Sequence, residues 1–271
     1  SKLSSSIFRH FAKPRTVSRN FKTMRLYLLI FLILPTFIFP QYKEIPRQRI
    51  KDISNHAEKI LGIKSFAHKF EDYMSKGYYS LSTPVWVNFG KSGGLPISCY
   101  GSDVDDSLDS ILNAGREIGL MSKYAGGTSM YLGKIRPRGS KISGGGKSDG
   151  PVHYAGIYDA IIDKCKQADS RRGSCAIWLP VEHSDISEFL DIGTEGNPIQ
   201  NLQYGITVTD EWMKNMIEGD QDKRVIWAKI IQRRSEFGFP YIMFKDTVNN
   251  NSPYKNLGLT INHSNLCSEI A

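Results

Sequence analysis

The sequence predicts an α/β fold organised on a mainly parallel sheet, either open or closed into a barrel. From about residue 78 onward, short apolar runs alternate with longer segments of helical period. Parallel strands joined by crossover helices require that alternation. No internal repeat of roughly 20–50 residues is visible, so a solenoid is excluded. With 271 residues, 40% hydrophobic and 23% charged, the chain has the length and composition for one large domain or two small ones.

The chain opens with a basic stretch. Residues 1–25 hold Lys2, Arg9, Lys13, Arg15, Arg19, Lys22 and Arg25 and no acidic side chain, which accounts for most of the formal charge of +8. The remainder is near neutral, so no nucleic-acid partner is expected. Residues 26–39 are almost wholly apolar, but fall short of the roughly 20 needed to span a bilayer. A short apolar run behind a basic one resembles a signal peptide; the plainer reading is a buried segment or an extension outside the fold. The expected organisation is an extension of unknown role over 1–43, a helical segment over 44–76 and the main domain over 77–271.

Within the helical segment, Ile53, Ala57, Ile60 and Leu61 share one face. Phe66, Phe70, Tyr73 and Met74 share another, with Gly62 as the break. Strands are then expected at 84–89, 128–135, 175–181, 205–208, 241–244 and 259–262. Helices are expected at 106–123, 153–168, 185–192, 210–218 and 223–237. Thr209 and Gly219 are plausible caps for the fourth of these helices.

Several motifs invite chemistry. Ser143-Gly144-Gly145-Gly146-Lys147-Ser148 looks like a phosphate loop, but the spacing demands glycine where Lys141 stands, so it is read as a flexible loop. Gly126-Gly127 would either let main-chain amides approach an anion or simply bend a strand. Arg136-Pro137-Arg138 and Arg171-Arg172 are basic loops whose guanidiniums suit phosphates or solvent equally. His183 reads as a cap or loop residue. Cys99, Cys165, Cys175 and Cys267 form no C-x-x-C pair and no metal-ligand spacing with the six histidines. A reducing compartment, the cytoplasm, is expected. Cys165 and Cys175 read as core, and Cys99 as core or as half of a redox pair.

The closing run Ser264-Asn265-Leu266-Cys267-Ser268-Glu269-Ile270-Ala271 is the densest in chemistry. If it is extended, Asn265, Cys267 and Glu269 share one face. That places a thiol, a carboxylate base and an orienting amide together.

This run resembles the large, catalytic (alpha) subunit of ribonucleotide reductase when taken with Ser82-Thr83-Pro84-Val85-Trp86, Pro96-Ile97-Ser98-Cys99 and Asp106-Ser107-Leu108-Asp109-Ser110-Ile111. The four motifs stand in family order, and the resemblance covers about 77–271. It implies a ten-stranded α/β barrel of two five-stranded parallel halves, of which this chain supplies the first half and the start of the central finger loop. Cys267 would be the thiyl-radical residue that removes the ribose 3′ hydrogen. Glu269 would take the 3′-hydroxyl proton, Asn265 would hold the ribose, and Cys99 would be one of two thiols that reduce the 2′ position. Thr83, Ser98, Ala125 and Gly126 would bind substrate. Asp106, Ser107, Leu108 and Arg136 would bind an effector nucleotide, with Arg171 communicating effector identity.

The resemblance further implies a ribonucleoside diphosphate substrate, dNTP and ATP effectors, thioredoxin or glutaredoxin, and a second copy of the large subunit. It implies no metal or cofactor bound by this chain, with the radical supplied by a metal-containing small subunit. A cobalamin-dependent relative, which would use adenosylcobalamin, is the first alternative. The second is a non-catalytic nucleotide-binding or assembly half; the third is a membrane-associated protein led by residues 26–39. The partner thiol of Cys99 and the second half-barrel are expected on a C-terminal remainder, so the chain alone is expected to be inactive and poorly soluble.

Overall fold

The computed structural model describes residues 47–92, 95–124, 126–167 and 171–269. The readings for residues 1–43, Ala125 and the closing Ile270-Ala271 fall outside them. The chain divides into two compact units between Asp72 and Tyr73.

The first unit contains α1 (Arg47–Leu61) and the start of α2 (Phe66–Ser75). Gly62 ends α1 at φ +67, a conformation that costs a residue without Cβ little. The Glu58 carboxylate accepts the Ala67 N–H at 2.7 Å, satisfying one of the first-turn donors of α2.

The second unit is organised on a five-stranded, wholly parallel, open sheet. In chain order its elements are α3 (Thr83–Asn88), β1 (Cys99–Asp103), α4 (Leu108–Lys123), β2 (Gly127–Tyr131) and α5 (Gly150–Lys164). A short antiparallel pair follows, β3 (Lys166–Gln167) with β4 (Arg171–Arg172). Then come β5 (Ser174–Pro180), α6 (Ile186–Phe189), β6 (Gln203–Val208), α7 (Asp210–Glu218), α8 (Gln221–Phe237), β7 (Tyr241–Phe244) and α9 (Lys245–Asn251). The sheet order is β1-β2-β5-β6-β7. The central strands β2, β5 and β6 are buried almost throughout, while β1 and β7 are partly exposed edges.

Side chains alternate across the strands. One set, including Met130, Cys175, Ile177, Leu179, Tyr204, Ile206 and Val208, packs with Ile111 and Ile118 of α4 and with Ala155, Tyr158 and Ile162 of α5. The other set makes a smaller cluster of Tyr131, Ala176, Trp178 and Met243 with Leu266, and Cys99 and Tyr241 pack against it. This second face carries the candidate site. Trp178 lies in register with Gly205, and its indole fills the space a Cβ at 205 would need, 2.6–2.7 Å away. It also stacks on Tyr241 at 6.2 Å between ring centroids.

Three expectations are corrected. Residues 84–89 are helical over Thr83–Asn88, because Pro84 sits in the first helical turn, where its missing N–H costs nothing and its fixed φ is helical. Residues 259–262 join no strand ladder. The helix expected to run to 168 ends at Lys164, and Lys166–Gln167 turn back to pair with Arg171–Arg172. The caps of α7 match expectation: the Thr209 hydroxyl accepts the Trp212 N–H at 3.3 Å, and Gly219 closes the helix at φ +125. Among the described residues, no helix is long and apolar enough to cross a membrane.

Candidate functional site

Cys99 opens β1 beside Gly127, its register partner. The Gly127 N–H donates to the Ser98 carbonyl at 2.5 Å and locks the approach of β1 to β2. The Ser98 hydroxyl lies 3.6 Å from Cys99 Sγ. Because residue 127 has no Cβ, the Leu266 side chain can lie directly on the sheet there, and Leu266 is buried. Leu266 therefore packs the closing segment onto this face of the sheet.

Beyond Leu266 the chain does not continue as a strand, so the expected extended alternation of Asn265, Cys267 and Glu269 is corrected. Leu266 and Cys267 form a turn. The Ser268 N–H donates to the Asn265 carbonyl at 3.3 Å, with Ser268 at φ +66. Asn265 Oδ1 accepts the Glu269 N–H at 3.1 Å. The turn brings together what a strand was expected to align: Cys99 Sγ, Cys267 Sγ and a Glu269 carboxylate oxygen all lie within 4.8 Å of one another. Cys267 and Glu269 are exposed and Cys99 is half-buried. Glu269 and Ser268 also border a hollow of about 280 Å³ beside Met243 and Val248. Tyr241 stands nearby, its phenol pKa raised by burial first and then by negative charge at Cys267 and Glu269. The two thiols and the carboxylate can perform two-electron thiol chemistry with a base at hand, or hold a thiophilic cation.

The other cysteines behave differently. Cys175 is fully buried, and burial pushes its thiol up to about 12, whereas Cys165 at the end of α5 is half-buried rather than core. Because the thiolate is the nucleophile, iodoacetamide at neutral pH should label Cys267 readily and Cys175 only after denaturation, as read by peptide mass spectrometry. Native labelling of Cys175 at a comparable rate would contradict the packing of β5.

The other predicted residues fall elsewhere. Thr83 is exposed in the first turn of α3. Gly126 is buried, and its N–H donates to the Met121 carbonyl at 2.9 Å. With the Gly127 N–H also engaged, these two amides are not presented to an anion, which corrects that reading of the glycine pair.

Asp106, Ser107, Leu108 and Arg136 gather beyond the C-terminal ends of β1 and β2, away from the cysteines at their N-terminal starts. Together with Ile142, Ser143, Ser148 and Tyr154 they line a hollow of about 410 Å³. Arg136 Nε donates to Asp106 Oδ2 at 2.6 Å, and Ser107 caps α4. Arg138 is committed to Glu188 at 2.6 Å. Arg171 lies in β4, opposite Gln167. His183 is a loop residue, as expected: its Nδ1 accepts the Asp185 N–H at 3.1 Å, and its Nε2–H donates to the Ile135 carbonyl at 2.9 Å.

The family profile described as ribonucleotide reductase, barrel domain, matches residues 97–223 and 219–271. The chain belongs to the ribonucleotide reductase barrel family. The class Id ribonucleotide reductase alpha subunit of Actinobacillus ureae superposes with a TM-score of 0.76 at 45% sequence identity, covering 88% of this chain and 44% of that one. The ribonucleoside-diphosphate reductase large subunit of Acanthamoeba polyphaga mimivirus is 31% identical over 239 residues, 73% of this chain and 27% of that protein. A vitamin B12-dependent ribonucleoside-diphosphate reductase of Thermoplasma acidophilum is 28% identical over 75% of this chain and 29% of its own length. The chain thus spans less than half the length of each of these reductases. Its open five-stranded parallel sheet matches part of the barrel.

Sequence reasoning missed the contacts that hold the cysteine segment: Leu266 seated over Gly127, and Ser129 and His263 beneath the neighbouring backbone. Leu266 gave a faint signal as the one large apolar side chain between two polar pairs. The other two gave none, because they lie 134 residues apart in the chain.

Proposed function

We propose that this chain is the first half of the catalytic barrel of a ribonucleoside-diphosphate reductase large subunit. In this reading it supplies the radical thiol, the base and one reducing thiol for replacing the ribose 2′-hydroxyl with hydrogen. The observation that supports it most is the convergence of Cys99, Cys267 and Glu269 on one face of the sheet. Cys267, as a thiyl radical, takes the 3′ hydrogen atom and becomes a thiol. Glu269 takes the 3′-hydroxyl proton as the 2′-hydroxyl leaves as water, so acid–base work and radical work share one turn. Cys99 and a second thiol, on the C-terminal remainder, give up two electrons and two protons and end as a disulfide. Cys267 then returns the hydrogen to the 3′ carbon.

Substrate contacts are assigned to Thr83, Ser98 and Asn265. The hollow at Asp106, Ser107, Leu108 and Arg136 is assigned to an ATP or dNTP effector, with Arg171 relaying its identity. Thioredoxin or glutaredoxin re-reduces the disulfide, and a second large subunit completes the assembly. The radical comes from a metal-containing small subunit. The 45% identity to a class Id alpha subunit, against 28% to the vitamin B12-dependent protein, favours this source over adenosylcobalamin.

The test is co-expression of the chain with a polypeptide carrying the remainder of the subunit, then assay with a small subunit and a thiol reductant. Deoxyribonucleoside diphosphate should form from the complete mixture and not from the isolated chain. Product only with adenosylcobalamin would select the cobalamin alternative. Nucleotide binding without turnover would select the assembly-half alternative.

A further inference from the structure

We propose that His263 is a positioning residue that holds the Cys267-bearing turn against β1 and β2 by fixing the Ser264 carbonyl. The inference rests on the assignment of Cys267 and Cys99 to one site. Two donors meet on that carbonyl: the Ser129 hydroxyl at 2.6 Å and His263 Nδ1 at 2.8 Å. A carbonyl only accepts, so Nδ1 must carry the ring proton, and Ser129 Oγ also lies 3.1 Å from the same nitrogen. Ser129 sits mid-strand in β2, on the same face as Tyr131, and is fully buried. The clamp is therefore anchored in a fully buried strand paired on both sides, and the carbonyl it holds lies two residues from Leu266.

The ring itself is fixed on both sides. It stacks on Tyr131 with planes 6° apart and centroids at 6.1 Å. On the β1 side, a Cβ at Gly101 would come to 3.0 Å from His263 Cε1, so any larger residue there would crowd the ring. The charged groups around it are Asp103 of β1, whose Oδ1 is 3.8 Å from Nε2, Lys134 after β2, paired with Asp103 at 3.1 Å, and Lys245 of α9. Lys245 and Asp103 also grip the preceding residue: Lys245 Nζ donates to Asn262 Oδ1 at 3.1 Å, and Asn262 Nδ2 donates to Asp103 at 2.7 Å. Burial keeps the imidazole's pKa below its ordinary value, which favours the neutral ring with its proton on Nδ1. Asparagine places a side-chain N–H near the position of Nδ1, so His263→Asn is the conservative replacement and His263→Ala the deletion.

The readout is the distance the clamp controls. In the chain co-expressed with the remainder of the subunit, whose partner thiol for Cys99 is replaced by serine for this measurement alone, diamide oxidises two thiols to a disulfide while its N=N bond is reduced to the hydrazine. The initial rate of Cys99–Cys267 disulfide formation is followed by peptide mass spectrometry. Relative to the unmodified chain, His263→Ala should slow this step by about tenfold or more, and Ser129→Ala should slow it in the same direction. His263→Asn should restore most of the rate. With turnover assembled, kcat should fall for His263→Ala with KM for the ribonucleoside diphosphate little changed.

Unchanged cross-linking in folded His263→Ala would overturn the proposal while leaving the shared site intact, as would an asparagine variant no better than alanine. If His263→Ala does not fold, Ser129→Ala decides by the same criterion. Failure of the unmodified chain to form the Cys99–Cys267 bond would instead sink the shared site, and this inference with it.

Discussion

Replacing Cys267 with serine in the completed reductase lowers turnover by at least about 10³-fold, the equivalent of about 4 kcal/mol of lost transition-state stabilisation. The reason lies in bond strength and geometry together. A hydroxyl in the thiol's place cannot be converted readily to a radical that removes a ribose hydrogen, although it keeps nearly the same shape at the turn. Substrate binding should be largely preserved, because Cys267 sits on an exposed turn and Leu266 rather than Cys267 anchors the segment. Glu269→Gln should lower turnover by about 10²-fold, the lower end of what base assistance contributes, since water can take part of that role. Steady-state production of deoxyribonucleotide, with KM measured in parallel, checks both. A serine variant retaining more than about a tenth of the activity would show that another residue carries the radical.

Trp178→Ala should destabilise the sheet-bearing unit by about 3–5 kcal/mol, the cost of a large cavity in a packed interior. Trp178 is fully buried, lies over Gly205, stacks on Tyr241 and belongs to the same cluster as Leu266. Emptying that space removes the floor on which the cysteine turn rests, so Cys99–Cys267 cross-linking should fall along with stability. Gly205→Ala acts on the same contact from the opposite strand, by overpacking rather than by a void, and should cost about 1–3 kcal/mol. Urea denaturation followed by tryptophan-independent circular dichroism gives both values. A loss below about 1 kcal/mol in Trp178→Ala would mean that the indole does not fill this face.

Much of the architecture was legible because local and tertiary signals agreed. The α7 boundaries follow from Thr209 and Gly219, and β5 and β7 follow from compact apolar runs. β1 was missed because Cys99-Tyr100-Gly101-Ser102-Asp103 carries no apolar alternation. An edge strand facing a site needs small and polar side chains there, and Gly101 makes way for His263. The Val85-Trp86-Val87 run suggested a strand, and Pro84 at the start of a helix outweighed it.

The closing segment shows the deeper limit. Its site residues could be named from the run itself and from the family resemblance. The turn that gathers them depends on Leu266 finding Gly127, and on Ser129 and His263 sharing one carbonyl. Those contacts join distant parts of the chain, and no local pattern encodes them.

In the proposed mechanism the Cys267 thiol of this chain takes the ribose 3′ hydrogen. The most direct test of that step compares turnover of 3′-deuterated and unlabelled ribonucleoside diphosphate by the completed reductase. A primary isotope effect on kcat/KM is expected, with no cleavage of the 3′ C–H bond by the Cys267→Ser variant. Turnover indifferent to 3′ deuteration, together with 3′ C–H cleavage persisting without the Cys267 thiol, would contradict it.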